Sequence, residues 1–157
     1  MKRDLPLLRV LSLLVFAFLL LILTSCKVEK YKLDEKYYNP SEVGLTDVEL
    51  DLVNEEIKNK GNFALFIYLD GCTTCSEFEP IVSSFLEENN MMMYSLSYDK
   101  MEKGSDLKKT VKYSPSVVLF KNGKIVAHLD TSKDEDTERF RSFDAFKEWF
   151  ESYIELK

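Results

Sequence analysis

FALFIYLDGCTTCSEFEPIVSSFLEE, residues 63–88, places two cysteines between two runs of different periodicity. Phe63–Leu69 is a nearly continuous apolar run, which is typical of a short strand buried on both faces. Ser76–Glu88 repeats apolar residues at helical spacing. Cys72 and Cys75 lie between these runs and are separated by two threonines. A strand, a C-x-x-C pair and a helix in this order predict redox chemistry.

The first cysteine of the pair lies at a helix N-terminus, a position that favours the thiolate. Cys72 precedes the predicted helix, so the positive end of the helix dipole favours a negative charge on its sulfur. The thiolate is the species that attacks disulfides. The pair can also close on itself with little rearrangement, so an inert structural disulfide is the alternative interpretation.

Outward from this stretch, the sequence predicts alternating helices and strands. Thr46 and Glu49 form the pattern of a capping box, which predicts a helix that continues to Gly61. Asn122-Gly123 indicates a type I′ hairpin turn. The remaining predicted elements are a strand over Met91–Tyr98, a weaker helix over Lys100–Val111, strands over Ser116–Phe120 and Lys124–Leu129, a charged loop over Thr131–Arg139, and a final helix capped by Ser142. This order predicts an α/β domain with a mixed central sheet and helices on both faces.

Two prolines make the pattern more specific. Pro80 lies five residues after Cys75, inside the predicted helix, and Pro115 precedes a Phe-Lys-Asn-Gly hairpin. Residues 46–156 therefore resemble the thioredoxin family. The resemblance implies a thioredoxin-like fold and a cis peptide bond between Ser114 and Pro115, although a trans proline at the start of a strand is the alternative. It further implies that Cys72 is the attacking thiol and Cys75 the resolving thiol, and that Ser114 and Pro115 hold an extended substrate peptide.

The chain also departs from the family pattern at the site. Gly71 replaces the tryptophan that usually precedes the first cysteine, and Phe66 replaces the buried acid six residues before it. Asp70 is close in sequence, but we expect it at the exposed end of the strand. Thr73 and Thr74 separate the cysteines, and a threonine hydroxyl can hydrogen-bond a thiolate. The redox potential and the direction of exchange are therefore open.

The N-terminus has the pattern of an export signal. Lys2, Arg3 and Arg9 precede an apolar stretch from Val10 to Leu23. That is the order of charges and apolar residues found in secretory signals, and the stretch is short for a membrane span. Leu-Thr-Ser-Cys, residues 23–26, follows and resembles the lipobox of bacterial lipoproteins.

The lipobox pattern predicts three segments. Residues 1–25 would be a lipoprotein signal peptide, residues 26–45 would hold lipidated Cys26 and a polar tether, and residues 46–157 would form the thioredoxin-like domain. Acyl chains on Cys26 would anchor the protein to the bacterial cell membrane with its domain on the extracytoplasmic side. An uncleaved N-terminal anchor is the alternative. Within the tether, we expect three tyrosines to pack on the domain, with a position at the membrane interface as the alternative: Tyr31, Tyr37 and Tyr38.

Charge and ligand counting exclude several classes of function. The net charge is −6, and no cluster of lysine and arginine interleaves with aromatic residues, so we expect no nucleic-acid binding. Zinc needs four ligands, and once Cys26 is lipidated only Cys72, Cys75 and His128 remain as cysteine or histidine ligands. Met91-Met92-Met93 lies on a predicted strand, so the three side chains cannot converge on a metal. We therefore predict no metal and no cofactor.

The leading prediction is a membrane-tethered thiol–disulfide oxidoreductase that acts on exported proteins through Cys72 and Cys75. Its partners would be protein or peptide thiols and disulfides outside the cytosol, where disulfides persist, together with a redox partner protein. The first alternative is a non-catalytic thioredoxin-like module that binds a peptide beside Pro115. The second is a copper-handling protein that uses Cys72 and Cys75. The absence of a suitably placed histidine or methionine in the sequence argues against it.

Overall fold

The computed structural model describes residues 29–157, which form one five-stranded mixed sheet with helices on both faces. The strands run in the spatial order β1-β3-β2-β4-β5; β1, β3 and β2 are parallel, whereas β4 is antiparallel to β2 and β5 to β4. The predicted α/β fold class is confirmed. The elements in chain order are β1 (Gly44–Asp47), α1 (Leu50–Lys58), β2 (Phe63–Tyr68), α2 (Thr73–Glu88), β3 (Met92–Ser97), α3 (Asp106–Thr110), β4 (Ser116–Lys121), β5 (Lys124–His128) and α4 (Phe143–Tyr153).

The central strand β2 separates two apolar layers. Phe66 points towards α2, where its ring centroid lies 6.0 Å from that of Phe78. Phe63 has the opposite parity on the strand and stacks on Phe120 of β4 at 4.2 Å. Phe120 lines a cavity together with Ile57 of α1 and residues of α3. Helices therefore cover both faces of β2, which explains why its sequence is apolar without alternation.

Aromatic rings join α2 to α4 on one face of the sheet. Phe146 packs edge to face against Phe78 and Phe85, with ring centroids 5.5 and 5.3 Å apart. Phe150 lies 4.8 Å from Phe85. The predicted cap of α4 is confirmed, because the Ser142 hydroxyl accepts a hydrogen bond from a backbone N–H in the first turn. These contacts hold the helix that carries the cysteines against the body of the domain.

The hairpin between β4 and β5 turns at Asn122-Gly123, as predicted. Both residues have positive φ, 52° and 72°, as a type I′ turn requires. A side chain at position 123 would also collide with the backbone carbonyl of Ile57. Glycine is therefore needed there for backbone conformation and for the close approach of α1.

The predicted helix start at Thr46 is wrong. Thr46 lies in β1 and pairs with Tyr94 of β3, and the helix begins four residues later at Leu50. Glu49 precedes this helix without a side-chain capping bond. The capping-box pattern is present in the sequence, but pairing with the edge of β3 competes successfully for these backbone groups.

The predicted helix over Lys100–Val111 is also shorter in the structure. Only Asp106–Thr110 is α-helical, and a 3₁₀ turn over Tyr98–Lys100 precedes it. Gly104 has a φ of +89°, which is incompatible with a continuous helix. In the predicted charged loop, Asp134–Phe140 forms a 3₁₀ turn.

Residues 31–38, here called the N-terminal strap, lie within the predicted polar tether and pack on the domain. Tyr31, Leu33, Tyr37 and Tyr38 are all buried. Tyr31 forms a parallel bridge with Ile154, and the strap contains a 3₁₀ turn over residues 35–37. The prediction that the tyrosines pack on the domain is therefore confirmed. Burial of four large apolar side chains outweighs the entropy of a free segment.

The strap runs along the amino ends of the central strands. The Asp34 N–H donates to the carbonyl of Asn62, which precedes β2, and the Asn39 N–H donates to that of Asn90, near the start of β3. The predicted signal peptide and the lipidation site at Cys26 lie outside the described residues. Within residues 29–157, no helix combines the length and apolar character needed to span a bilayer.

Candidate active site

Cys72 and Cys75 form a disulfide at the amino end of α2. Their Cα atoms are 5.3 Å apart, within the normal range for a bridged pair. Cys72 is the N-cap residue of the helix and is half-buried, whereas Cys75 lies one turn inward and is only 4% exposed. The outer sulfur is therefore the one that a second molecule can approach.

Two polar groups of the chain are directed at the outer sulfur. The Cys75 backbone N–H donates to Cys72 Sγ over 3.1 Å, and Thr74 Oγ1 lies 3.2 Å from the same sulfur. Both groups lie in the first turn of a 16-residue helix, where the dipole favours negative charge. In the reduced protein this arrangement stabilises a thiolate on Cys72 by hydrogen bonds and by the helix dipole.

The turn that enters the site depends on glycine. Gly71 has a φ of +74°, and the following Cys72 N–H donates to the carbonyl of Leu69 over 3.2 Å. Asp70 is exposed at the end of the strand, as predicted. Phe66 is buried at the position of the absent acid and packs on Phe78. This position of β2 therefore carries an apolar side chain that packs against α2.

Sheet pairing brings Pro115 to the same edge as the cysteines. Ser116 of β4 pairs with Ile67 near the carboxyl end of β2, so Pro115 lies where the cysteine-bearing turn leaves the sheet. The Ser114–Pro115 peptide bond is cis. No backbone or side-chain hydrogen bond engages the Ser114 N–H or C=O within the part of the chain that the structure describes. Those two groups are available to an added strand.

A groove of about 210 Å³ joins the two parts of the site. Thr74 and Pro115 both line it, so the turn between the cysteines and the cis-proline face one concave surface. The opposite wall was not predicted from the sequence and comes from the segment that connects β5 to α4. The groove residues beyond Thr74 and Pro115 are Glu77, Thr131, Thr137, Phe140 and Arg141.

A buried carboxylate fixes this wall. Asp136 is only 2% exposed; it accepts a hydrogen bond from the Asp130 N–H at 2.9 Å and pairs with the Arg139 guanidinium. Phe140 packs on Phe78 of α2, with ring centroids 4.8 Å apart. The only sequence signal for the wall was its length and charge, which suggested a solvated loop. The hydrogen-bond and ion-pair partners of Asp136 are local, six and three residues away, but no recognised motif marks them.

The other candidate ligands are placed as ordinary structural residues. His128 lies in β5, half-buried, with Nε2 4.0 Å from the Asp130 carboxylate, and burial lowers its pKa. Met91 and Met93 are buried while Met92 is half-buried, in keeping with alternation along a strand. Among residues 29–157, no cluster of three or more His, Cys, Asp or Glu side chains has a geometry that could hold a metal ion.

Comparison with solved structures identifies the fold. The structure is similar to a mutant thioredoxin from Halobacterium salinarum, with a TM-score of 0.52 and 24% identity over 73% of this chain and 94% of that one. A thioredoxin pre-protein from Schistosoma mansoni gives a TM-score of 0.52 at 17% identity, covering 71% and 99%. Oxidised thioredoxin O1 from Arabidopsis thaliana gives 0.50 at 12% identity, also covering 71% and 99%. No family model matches the sequence. Residues 29–157 thus have the thioredoxin-like fold.

Proposed function

We propose that the protein is a thiol–disulfide oxidoreductase whose reacting group is the Cys72–Cys75 pair. The observation that carries the proposal is the asymmetry of the pair. The outer sulfur is half-buried and receives two polar contacts, while the inner sulfur is buried directly behind it. An inert disulfide needs no such difference between its two sulfurs.

The exchange proceeds in two displacements. With the pair reduced, the Cys72 thiolate attacks one sulfur of a substrate disulfide, forms a mixed disulfide and releases the other substrate sulfur as a thiolate. The Cys75 thiol gives its proton to water, and the resulting thiolate attacks Cys72 Sγ, which restores the Cys72–Cys75 bond and releases the second substrate thiolate. Two electrons pass to the substrate, and water supplies two protons to its thiolates at neutral pH. The reverse sequence oxidises a substrate dithiol.

Substrate positioning is assigned to the cis-proline turn. The free N–H and C=O of Ser114 offer one donor and one acceptor to an extended peptide, as in strand addition. Pro115 supplies an apolar surface beside them. A peptide held there lies in the groove that Thr74 lines, and Thr74 contacts the outer sulfur.

We also propose that Cys26 is lipidated and that the domain acts outside the cell membrane on exported proteins. The described structure is compatible with such an anchor. The strap lies at the amino ends of β2 and β3, whereas Cys72 follows the carboxyl end of β2. A six-residue strand spans about 20 Å, so an anchor before the strap would join the domain at the end of β2 opposite to the cysteines.

A second candidate is a peptide-binding module without turnover. The observation in its favour is the buried, apolar Phe66 on β2, six residues before Cys72, since its side chain cannot take part in proton transfer. The groove beside Pro115 would serve binding in either case.

The deciding experiment measures redox equilibration in a glutathione series together with insulin reduction and oxidation of a dithiol peptide. We expect Cys75→Ser to accumulate a mixed disulfide and Cys72→Ser to form none. A pair that equilibrates with glutathione but turns over no protein or peptide substrate would favour the binding module. Equal turnover by Cys72→Ser and the unchanged protein would refute the assigned roles.

The anchor is tested separately from the chemistry. In bacterial cells, Cys26→Ala should abolish partitioning of the full chain into detergent, while Cys26→Ala protein retains its exchange rate in solution. Continued membrane association of the Cys26→Ala protein would contradict anchoring by lipid on this residue alone.

A further inference from the structure

Two side chains of opposite charge face the groove beside the disulfide. Glu77 belongs to α2 and Arg141 follows the 3₁₀ turn Asp134–Phe140, and both line the groove with Thr74 and Pro115. Within residues 29–157, neither charge has an ion-pair partner within 4.0 Å, and they do not pair with each other. The groove therefore presents one cationic and one anionic position on separate elements.

The nearby Arg139 differs from Arg141 because its charge is paired within the domain. Its guanidinium pairs with buried Asp136 and is used to hold the wall together. Arg141, two residues later, is exposed and makes no side-chain contact of this kind. The wall thus uses one arginine internally and presents the other to the groove.

Each charged residue of the groove is next in sequence to a packed aromatic residue. Glu77 precedes Phe78 and Arg141 follows Phe140, and these two rings pack edge to face at 4.8 Å. Since Phe78 is fully buried, the backbone positions of the two charged residues are fixed relative to each other. A substrate therefore meets a constant pattern of charge.

We propose that this pair selects the substrate of the exchange reaction: a polypeptide segment with one acidic and one basic side chain, in a fixed order along the chain. Arg141 binds the carboxylate and Glu77 binds the cation. The inference rests on the proposed oxidoreductase function. Charge complementarity argues for this occupant, because a segment with both charges gives each groove side chain the partner that the domain does not supply.

The test uses four peptides of identical composition and zero net charge. Each carries one cysteine as a mixed disulfide with 2-mercaptoethanol. One charged residue lies two positions from that cysteine and the other lies four positions from it on the same side. Two of the peptides carry the charges before the cysteine and two carry them after it. Within each of these pairs, one peptide has aspartate nearer to the cysteine and the other has lysine nearer. Residues two apart on an extended chain share a face, so both charges can point into the groove. The readout is the second-order rate constant for reaction with the reduced protein under single-turnover conditions.

When the charged residues lie on the side of the cysteine that enters the groove, we expect the peptide with one order of charges to react about three- to tenfold faster than the peptide with the other order. The faster peptide forms two partly exposed ion pairs, where the slower peptide meets two like charges. Combining Glu77→Arg with Arg141→Glu should reverse the preference without changing net charge. Arg141→Gln alone should reduce the preference without reversing it. The control combines Glu55→Arg with Lys58→Glu on α1, across the sheet from α2, and should preserve the preference.

Equal rates for both orders on both sides of the cysteine would overturn the selection, as would a preference that the double exchange leaves unchanged. Either result leaves the exchange chemistry intact, since the peptides still react. If none of the four peptides reacts, the proposed oxidoreductase function fails and the selection fails with it.

Discussion

The ring of Phe140 packs edge to face on Phe78, and this contact joins the segment after β5 to the helix that carries the cysteines. Phe78 is fully buried, while Phe140 is half-buried because its other side lines the groove. One aromatic pair thus closes the core and forms a wall of the site.

Phe140→Ala should lower the free energy of unfolding by about 2 kcal/mol, roughly half the cost of truncating a fully buried phenylalanine. Urea denaturation measures the change. Tyr113→Ala is the matched control, because Tyr113 is 56% exposed, and its loss should change stability by less than about 0.5 kcal/mol. Equal effects of the two variants would mean that the contact contributes no stability.

Thr74→Val should slow the alkylation of Cys72 in the reduced protein. The hydroxyl lies 3.2 Å from Cys72 Sγ, and losing a hydrogen bond worth about 0.5–1 kcal/mol reduces the thiolate population by about two- to fivefold. Iodoacetamide kinetics at pH 7 in a Cys75→Ser background report this rate for Cys72. Thr73→Val, which alters an exposed threonine of the same turn, should leave the rate unchanged. If both valine variants slow the reaction equally, the specific contact is irrelevant.

Much of the fold is readable from local sequence, and the exceptions have a common cause. The hairpin at Asn122-Gly123 and the cap at Ser142 were correctly predicted, because each depends on a turn or cap within a few residues. Thr46 was misassigned because β1 has four residues and its backbone pairs with distant β3. The tyrosines of the strap were correctly expected to pack on the domain, but their partners, such as Ile154 for Tyr31, lie more than a hundred positions away and could not be named from the sequence.

The same distinction applies to the site. The cysteine pair and the proline turn follow from motifs, and Thr74, between the cysteines, lines the same groove as Pro115. The segment between β5 and α4, which forms the opposite wall of the groove, contains no motif. In the sequence, Asp136 does not differ from the other charged residues of this loop. The wall is held to α2 by Phe140 on Phe78, two residues 62 positions apart, while the local partners of Asp136, the Asp130 N–H and Arg139, form no recognisable motif.

Acidification should destabilise the protein partly through His128. Burial lowers its pKa from 6.5, with a contribution from the charge of Lys133, while Asp130 and Asp136 oppose the shift. The unfolded chain then binds this proton more readily, so stability decreases as the pH falls through the ordinary pKa of about 6.5 towards the lower folded value. The urea midpoint should fall less between pH 7.5 and 5.5 in His128→Gln than in the unchanged protein. Identical falls would assign the pH dependence to other groups.

Two tyrosines of the strap should respond oppositely to loss of their hydroxyls. Tyr38 OH accepts from the Leu33 N–H and donates to the Glu155 carbonyl, both at 3.2 Å, so Tyr38→Phe should cost about 1 kcal/mol. Tyr31 OH is buried without a hydrogen-bond partner among residues 29–157, and its burial raises its pKa. Tyr31→Phe should therefore be neutral or stabilising. Thermal unfolding of both variants measures the difference, and a loss of stability in Tyr31→Phe would reveal a partner for that hydroxyl.

The strap also brings the two ends of the described chain together. The Tyr31 N–H donates to the Tyr153 carbonyl, and the Glu155 N–H donates to the Tyr31 carbonyl, at the end of the sheet remote from the cysteines. A fluorophore, a solid support or a second folded protein can therefore be joined at either end without crowding the disulfide. Joining the two ends by a short peptide, with new termini opened elsewhere on the surface, is equally compatible with this geometry.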